Sequence, residues 1–456
     1  MPFPQAASNP PIARVFQLAG DYGMFQPMPR RPTPLASLGA VLLALAGASP
    51  PVAAQPVPPA TRPVPVVPQA PEPPLKVSLS ADGETLYLVG MFLDGAFHQV
   101  KAALDKAPRV RRVHLSSSGG FTIEGRLVSA LVRKRRLDTY VEYYCASACT
   151  QIFAAGQQRV IGPLARLGFH QAVMVDENGN TAGVRPPTDR KLDSTLVFGV
   201  NGNDTLRLAY EMAGADPAFI DKALGFDHQN MWLPDQEQLL SSHLVSRVAE
   251  TSEVPAPPGA ITRDAVRAAL LEQPLWRAAM TRLPAPTETA VGDIWRSANS
   301  GYSLAEATRI GRAALIVQAA ELLPTASEAL LDRALAAYVL AARNQRARGY
   351  PGCFPETLVA PTEDPEETRF TAEEDAVMTE LLLSPEQAKA LKPVVAERYF
   401  NREVSPLLAH SASLTDRMDS GQLCRFGFET FEAIDSLPAG KRLKAYRALL
   451  SLSALP

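Results

Sequence analysis

From Lys76 to about Val254, short β-type runs alternate with helical ones, and no other feature limits the fold of this chain as tightly. "LKVSLS" and "TLYLVG" read as strands separated by the turn "ADGE". "GAFHQVKAALDKAP" has the apolar spacing of a helix and stops at a proline. "VRRVHLSSS" is the next strand, and "GGFTIEGRLVSALVRKRR" is a glycine-led helix with basic residues in its last turn, as the helix dipole favours. The strand "DTYVEYY", a helix from about Ala146 to Ala155, and the strands "RVIG" and "ARLGFHQ" come next. Parallel strands need crossover connections, so this order predicts an α/β domain with a largely parallel sheet.

The pattern breaks near Pro255. "EVPAPPGA" is a linker signal, and strand patterns nearly vanish after it. "LAEATRIGRAALIVQAAELL", "ASEALLDRALAAYVLAARNQRARG" and "SPEQAKALKPVVAERYF" are helical by period and by alanine and leucine content. The expected organisation is therefore an α/β domain over 77–254 and an all-α domain of unknown role over 255–456, since 456 residues exceed what one core usually organises. The formal net charge is −2, which argues against a nucleic-acid binder.

The beginning of the chain has a different character. Arg30 and Arg31 precede an apolar run from Leu35 to Ala46, and small residues continue up to Ala53 and Ala54. A basic stretch, a short apolar run and small residues at a cut site make residues 1–54 a secretory signal peptide with an N-terminal extension, or a later start at Met24 or Met28. The apolar run falls short of the roughly 20 residues of a membrane span. Residues 55–76, "QPVPPATRPVPVVPQAPEPP" and the two after it, are a proline-rich spacer. The expected location is periplasmic or secreted.

Export makes disulfides reasonable for the four cysteines. Cys353 with Cys424 is the favoured pairing, because both stand in turn-like settings. Cys145 and Cys149 read by default as two buried thiols, with a disulfide bracketing Ser147 as the alternative. No Cys/His pair has zinc-type spacing, so no metal is expected.

The chemistry concentrates in "YYCASACTQIFAAG". Ser147 stands where a strand gives way to a helix, among alanines that allow close backbone approach. Free N–H groups at such a helix start favour developing negative charge. A serine hydroxyl needs a base before it is nucleophilic, and His170, at the end of "ARLGFHQ", is the candidate. Parallel strands bring their C-terminal ends to one edge of the sheet, where open α/β folds place their sites. "SSSGGFTIEG" adds a tight strand-to-helix turn at Gly119 and Gly120 that can expose oxyanion-binding amides. The structural alternatives are a helix-capping serine, a histidine satisfied by backbone, and a turn without a ligand.

Together "VHLSSSGGFTIEGRLVSALV", "YVEYYCASACTQIFAAGQQR" and "ARLGFHQ" resemble the proteolytic subunit of the Clp protease and its ClpP/crotonase-like relatives, in particular an exported branch with a Cys-x-Ser-x-Cys core. The resemblance covers roughly residues 77–250. It implies Ser147 as nucleophile, His170 as general base, and Gly119 or Gly120 with Ala148 as oxyanion donors. The family's triad aspartate falls on Asn230, with Asp227 nearby, and either is an orienting group for the imidazole. Asparagine stabilises an imidazolium less than a carboxylate does. Relatives form rings and stacked trimers, which implies self-association.

The resulting expectation is an exported serine hydrolase, a peptidase acting on peptides or unfolded protein through an acyl-enzyme, with no cofactor and no ATPase partner. The alternative is a non-catalytic scaffold of the cell envelope whose helical half binds a partner.

Overall fold

The computed structural model describes residues 73–172, 202–226, 231–349, 365–384, 388–408 and 420–453. Described residues up to Ile316 form one compact unit and those from Val317 another. The expected boundary at 254/255 falls inside the first.

That first unit is built on a seven-stranded sheet. Strand β1 (Lys76–Leu79) pairs antiparallel with β2 (Thr85–Val89), and every other pairing is parallel. The order is β1-β2-β3-β4-β5-β7, with β3 at Arg112–Ser117, β4 at Asp138–Ala146, β5 at Arg159–Ile161 and β7 at Arg247–Val248. Strand β6 (Arg166–Gly168) lies off this path and pairs with β4. The central strands are nearly continuous buried runs, as parallel strands covered on both faces should be.

Strand β4 serves two neighbours. Its first half, Thr139–Val141, pairs with β5, and its last three residues, Tyr144–Ala146, pair with β6. Its register against β3 also shifts: Leu115 faces Val141, but Ser117 faces Cys145, so β4 carries two extra residues around Glu142–Tyr144. Such a bulge bends a strand and re-aims the residues beyond it.

Helices α1 (Ala96–Lys106), α2 (Thr122–Lys134) and α3 (Ala148–Phe153) connect these strands. Val100 and Leu104 of α1, and Val128 and Val132 of α2, are fully buried in one core with Leu86, Leu88, Val113, Leu115 and Val141. Helices α4 (Gly202–Met212), α5 (Pro217–Ala223) and α6 (Gln236–Ser241) come after them. Asp216 caps α5 with Pro217 at its first position, and Asp235 forms a capping box with Gln238 on α6. Arg159 of β5 fastens this region by donating to the carbonyls of Gly156, Ala213, His243 and Leu244.

Helices α7 (Arg263–Leu271), α8 (Pro274–Arg282), α9 (Pro284–Ala298) and the start of α10 (Leu304–Ala320) complete the unit. Helix α9 packs on β4, where Trp295 meets Tyr143 edge-on with ring centroids 5.0 Å apart. The guanidinium of Arg296 pairs with Asp293 at 2.5 Å and donates to Leu164 O at 3.1 Å, both side chains being buried. The helical segment after residue 255 thus begins as part of the sheet's own unit.

The second unit is helical in its described residues: α11 (Glu328–Ala347), α12 (Pro365–Leu383), α13 (Pro393–Glu403), α14 (Ser420–Asp435) and α15 (Ala439–Ser453). Helix α11 packs against α12 and α14, and α13 against α15. Tyr338 stacks on Phe431 with centroids 5.2 Å apart and donates its hydroxyl to Glu374 at 2.8 Å. No helix among the described residues is long and apolar enough to cross a membrane.

The architecture is a mixed α/β one with a mostly parallel sheet followed by a helical C-terminal region, as the alternation predicts.

Candidate active site at the end of the central strands

From Tyr143 to Gly156 every residue is buried except Ser147. The serine comes directly after the last residue of β4 and is the N-cap of α3, but its side chain makes no capping hydrogen bond. Its backbone sits at φ 53°, ψ −127°, a conformation that side chains with a Cβ disfavour and that glycine dominates in turns. Holding a non-glycine residue there costs about 1–3 kcal/mol, and such residues cluster at functional sites. The turn is pinned on both sides: Ser147 N–H donates to Gly168 O at 3.0 Å, and Ser147 O accepts from Thr150 N–H at 2.9 Å and from its hydroxyl at 2.6 Å. A plain helix cap would use an extended residue with its hydroxyl turned to the helix amides. This one is strained, half-exposed and packed against Gly119.

Gly119 explains how the serine fits. A Cβ built on it would stand 2.8 Å from Ser147 Cβ, 3.1 Å from Ala146 O and 3.3 Å from Ser147 Oγ, and its φ of +127° already disfavours a side chain. Gly119→Ala therefore displaces Ser147. An expected loss of about 10–100-fold in kcat, with the melting temperature of a folded protein nearly kept, is read by turnover beside thermal unfolding.

The two loop glycines differ in their amides. Gly119 N–H donates to Ser117 Oγ at 3.1 Å, and Gly119 is buried. Gly120 is half-exposed, and its bridge to Phe92 uses Gly119 O and Phe121 N–H, not its own amide. Ala148 N–H is the first amide of α3, one of those a helix leaves without an intrahelical acceptor. That leaves the amides of Gly120, next in sequence to the glycine against Ser147, and of Ala148, next to Ser147 itself, as the candidate donors.

His170 lies two residues beyond β6, the strand paired with the end of β4. It is half-buried, and its Nδ1 is 2.7 Å from Gln171 O. A carbonyl only accepts, so Nδ1 carries the hydrogen and Nε2 keeps a basic lone pair in the neutral ring. An orienting acceptor for the imidazole is therefore a backbone carbonyl, which sequence patterns do not reveal.

Asp227 and Asn230 lie outside the described residues. The residues that flank 227–230 are bonded on either side of His170: Phe226 O accepts from Gln171 N–H at 2.8 Å, and Trp232 exchanges two backbone bonds with Phe169, at 2.8 and 2.9 Å.

Cys145 and Cys149 are joined in a disulfide with Cα atoms 5.3 Å apart, which corrects the default reading of two free thiols. The pair does not share a helical face. Cys145 is a strand residue and Cys149 sits in the first turn of α3, so the sharp turn at Ser147 brings them together. The bridge closes the turn from the buried side, both cysteines being fully buried. Cys353 lies outside the described residues and the side chain of Cys424 is likewise not described, so that pairing is untouched by the structure. Among the described residues, no group of three or more His, Cys, Asp or Glu side chains is placed to hold a metal ion.

No family model and no curated protein matches the chain. Among solved structures, one described as the crystal structure of a peptidase from Plasmodium falciparum aligns with 37% of this chain and 96% of its own, at 9% identity and a TM-score of 0.29.

Proposed function

We propose that this chain is an exported serine hydrolase that cleaves peptide bonds through an acyl-enzyme, in the manner of the ClpP-like proteases its sequence resembles. The observation that carries the reading is Ser147: the only residue not buried between Tyr143 and Gly156, held at positive φ against Gly119. A serine in that posture, at the end of the strand that pairs with the one leading to His170, has the features of an activated nucleophile.

In this mechanism Ser147 Oγ attacks the substrate carbonyl and its proton passes to His170 Nε2. Nδ1–H, held on Gln171 O, keeps the ring in the tautomer that can accept it. The oxyanion is received by the amides of Ala148 and Gly120, dipoles fixed before the substrate arrives. Collapse of the tetrahedral intermediate expels the amine, which takes the proton from His170. The same nitrogen then deprotonates a water that hydrolyses the acyl-enzyme and releases Ser147 with its proton restored. Peptides and loose chains are the fitting substrates, because the mechanism includes no unfolding engine. The buried Cys145–Cys149 bridge supports export, since structural disulfides persist in oxidising compartments.

The test is labelling of the purified protein with a fluorophosphonate probe, beside folded Ser147→Ala and His170→Ala variants. Labelling that needs both residues is expected. Absence of labelling in folded wild-type protein refutes the hydrolase and leaves the envelope scaffold as the reading to pursue.

A further inference from the structure

We propose that the corner between α9 and α10, residues 299–302, is a positioning element of the candidate active site, holding the Gly119–Gly120 loop from behind. This rests on the hydrolase reading, in which Gly120 N–H receives the oxyanion.

The three consecutive serines that precede the glycines all have defined partners. Ser116 Oγ donates to Asn299 O at 2.8 Å and lies 3.0 Å from Ser300 Oγ, all within a fully buried region. Ser117 Oγ accepts from Gly119 N–H at 3.1 Å. Ser118 Oγ meets the hydroxyl of Tyr302 at 3.3 Å, a long contact. Two of the three side chains thus fasten the loop to a segment more than 180 residues away in sequence, and the third shapes the loop itself.

The corner is itself rigid, which a reference point must be. Asn299 Nδ2 donates to Ile261 O at 3.0 Å and to Trp295 O at 2.9 Å, while its Oδ1 accepts from Ile261 N–H at 2.9 Å. Trp295 Nε1 donates to the same Ile261 carbonyl at 3.0 Å. On the other side, a Cβ on Gly301 would stand 3.0 Å from Gly90 Cα, and Gly90 N–H donates to Ser116 O at 3.0 Å. The end of β3 is therefore gripped through both its backbone and its side chains.

Satisfaction of buried hydroxyls explains why Ser116 and Ser118 both have partners, since both are buried. It does not explain where those partners sit: Ser118 and Tyr302 are joined at the residue immediately before Gly119, which lies against Ser147. An amide that must meet an oxyanion at about 2.7–3.1 Å loses its effect if the loop turns by a fraction of that distance. Tyr302 and Ser116 act through the loop and do not touch the substrate.

The experiment compares wild type, Ser116→Ala and Tyr302→Phe in the full chain, by peptide turnover and by backbone hydrogen exchange of the 117–123 stretch. The expected result is a fall in kcat of about tenfold with KM within about twofold, since an oxyanion donor acts in the transition state. Exchange in 117–123 rises with it, and fluorophosphonate labelling slows. Tyr302→Phe removes one hydroxyl at a half-buried site and keeps the test open if Ser116→Ala fails to fold. Wild-type protein that labels, with folded variants unchanged in kcat and exchange, overturns this inference and leaves the hydrolase standing. Wild-type protein that does not label removes the hydrolase, and this inference falls with it.

Discussion

Ser147→Ala and His170→Ala are each expected to lower kcat on a peptide substrate by about 10⁴–10⁶-fold, and the double variant by no more than either alone. The non-additivity is the informative part. In the proposed mechanism Ser147 Oγ without the base is an ordinary alcohol, and without the hydroxyl the base has nothing to activate, so the pair would act as one unit. What remains is rate from the Gly120 and Ala148 amides and from substrate binding. Steady-state turnover of a fluorogenic peptide, with melting curves to show that the variants are folded, measures this. Additive losses, or a His170→Ala variant within tenfold of wild type, would mean the two residues do not work together.

Acid is expected to unfold the sheet unit through His114. This residue sits on β3, is buried to 1% exposure, and is ringed by Tyr87, Tyr140 and Tyr143. Its Nδ1 meets no hydrogen-bond partner among the described residues. Burial pushes its pKa down from 6.5 to about 3, with a smaller push the same way from Arg112 and an opposing one from its own backbone. Above pH 6.5 the imidazole is neutral in both folded and unfolded chains and adds no slope. Below it, the unfolded chain binds a proton that the folded one refuses, so stability falls by about 1.4 kcal/mol per pH unit down to about pH 3. All three tryptophans, Trp232, Trp276 and Trp295, lie in this unit, so their fluorescence during urea unfolding tracks it alone. His114→Phe, which suits the apolar surroundings, should lessen the slope between pH 6 and pH 4 by about one proton. An unchanged slope would show that His114 titrates normally.

Much of the first unit was legible because its signals are local. The apolar runs at 76–79, 85–89 and 112–117 and the helical spacings at 96–106 and 122–134 each depend on neighbours a few residues apart. Ser147, Gly119 and His170 were visible for the same reason, as short motifs at strand ends. The rest depends on contacts that spacing does not encode. The pairing of Cys145 with Cys149 needs the positive φ of Ser147, which turns a strand residue toward a helical one. The acceptor on His170 Nδ1 is a main-chain carbonyl, identical in every residue type. The boundary expected near Pro255 came from a real change in composition. Composition does not report that Asn299 O lies 2.8 Å from Ser116 Oγ, and that bond joins the two stretches across the change.

The irregularity in β4 decides which residue stands against the Gly119 loop. In the register of its first half, with Leu115 opposite Val141, continuation up the strand would set Gly119 opposite Cys145. The two inserted residues carry the chain forward so that Gly119 meets Ser147. Because strand side chains alternate with a period of two, an insertion of two changes the partner without turning the strand over, whereas an insertion of one would have exchanged inside for outside. Excising two residues from Glu142–Tyr144 would thus leave Ser147 opposite Gly119 in an unbroken ladder, whereas drawing those two residues into the ladder would bring Cys145 there instead. Which side chain meets the glycine loop thus depends on how the strand takes up two surplus residues as much as on the residue at its tip.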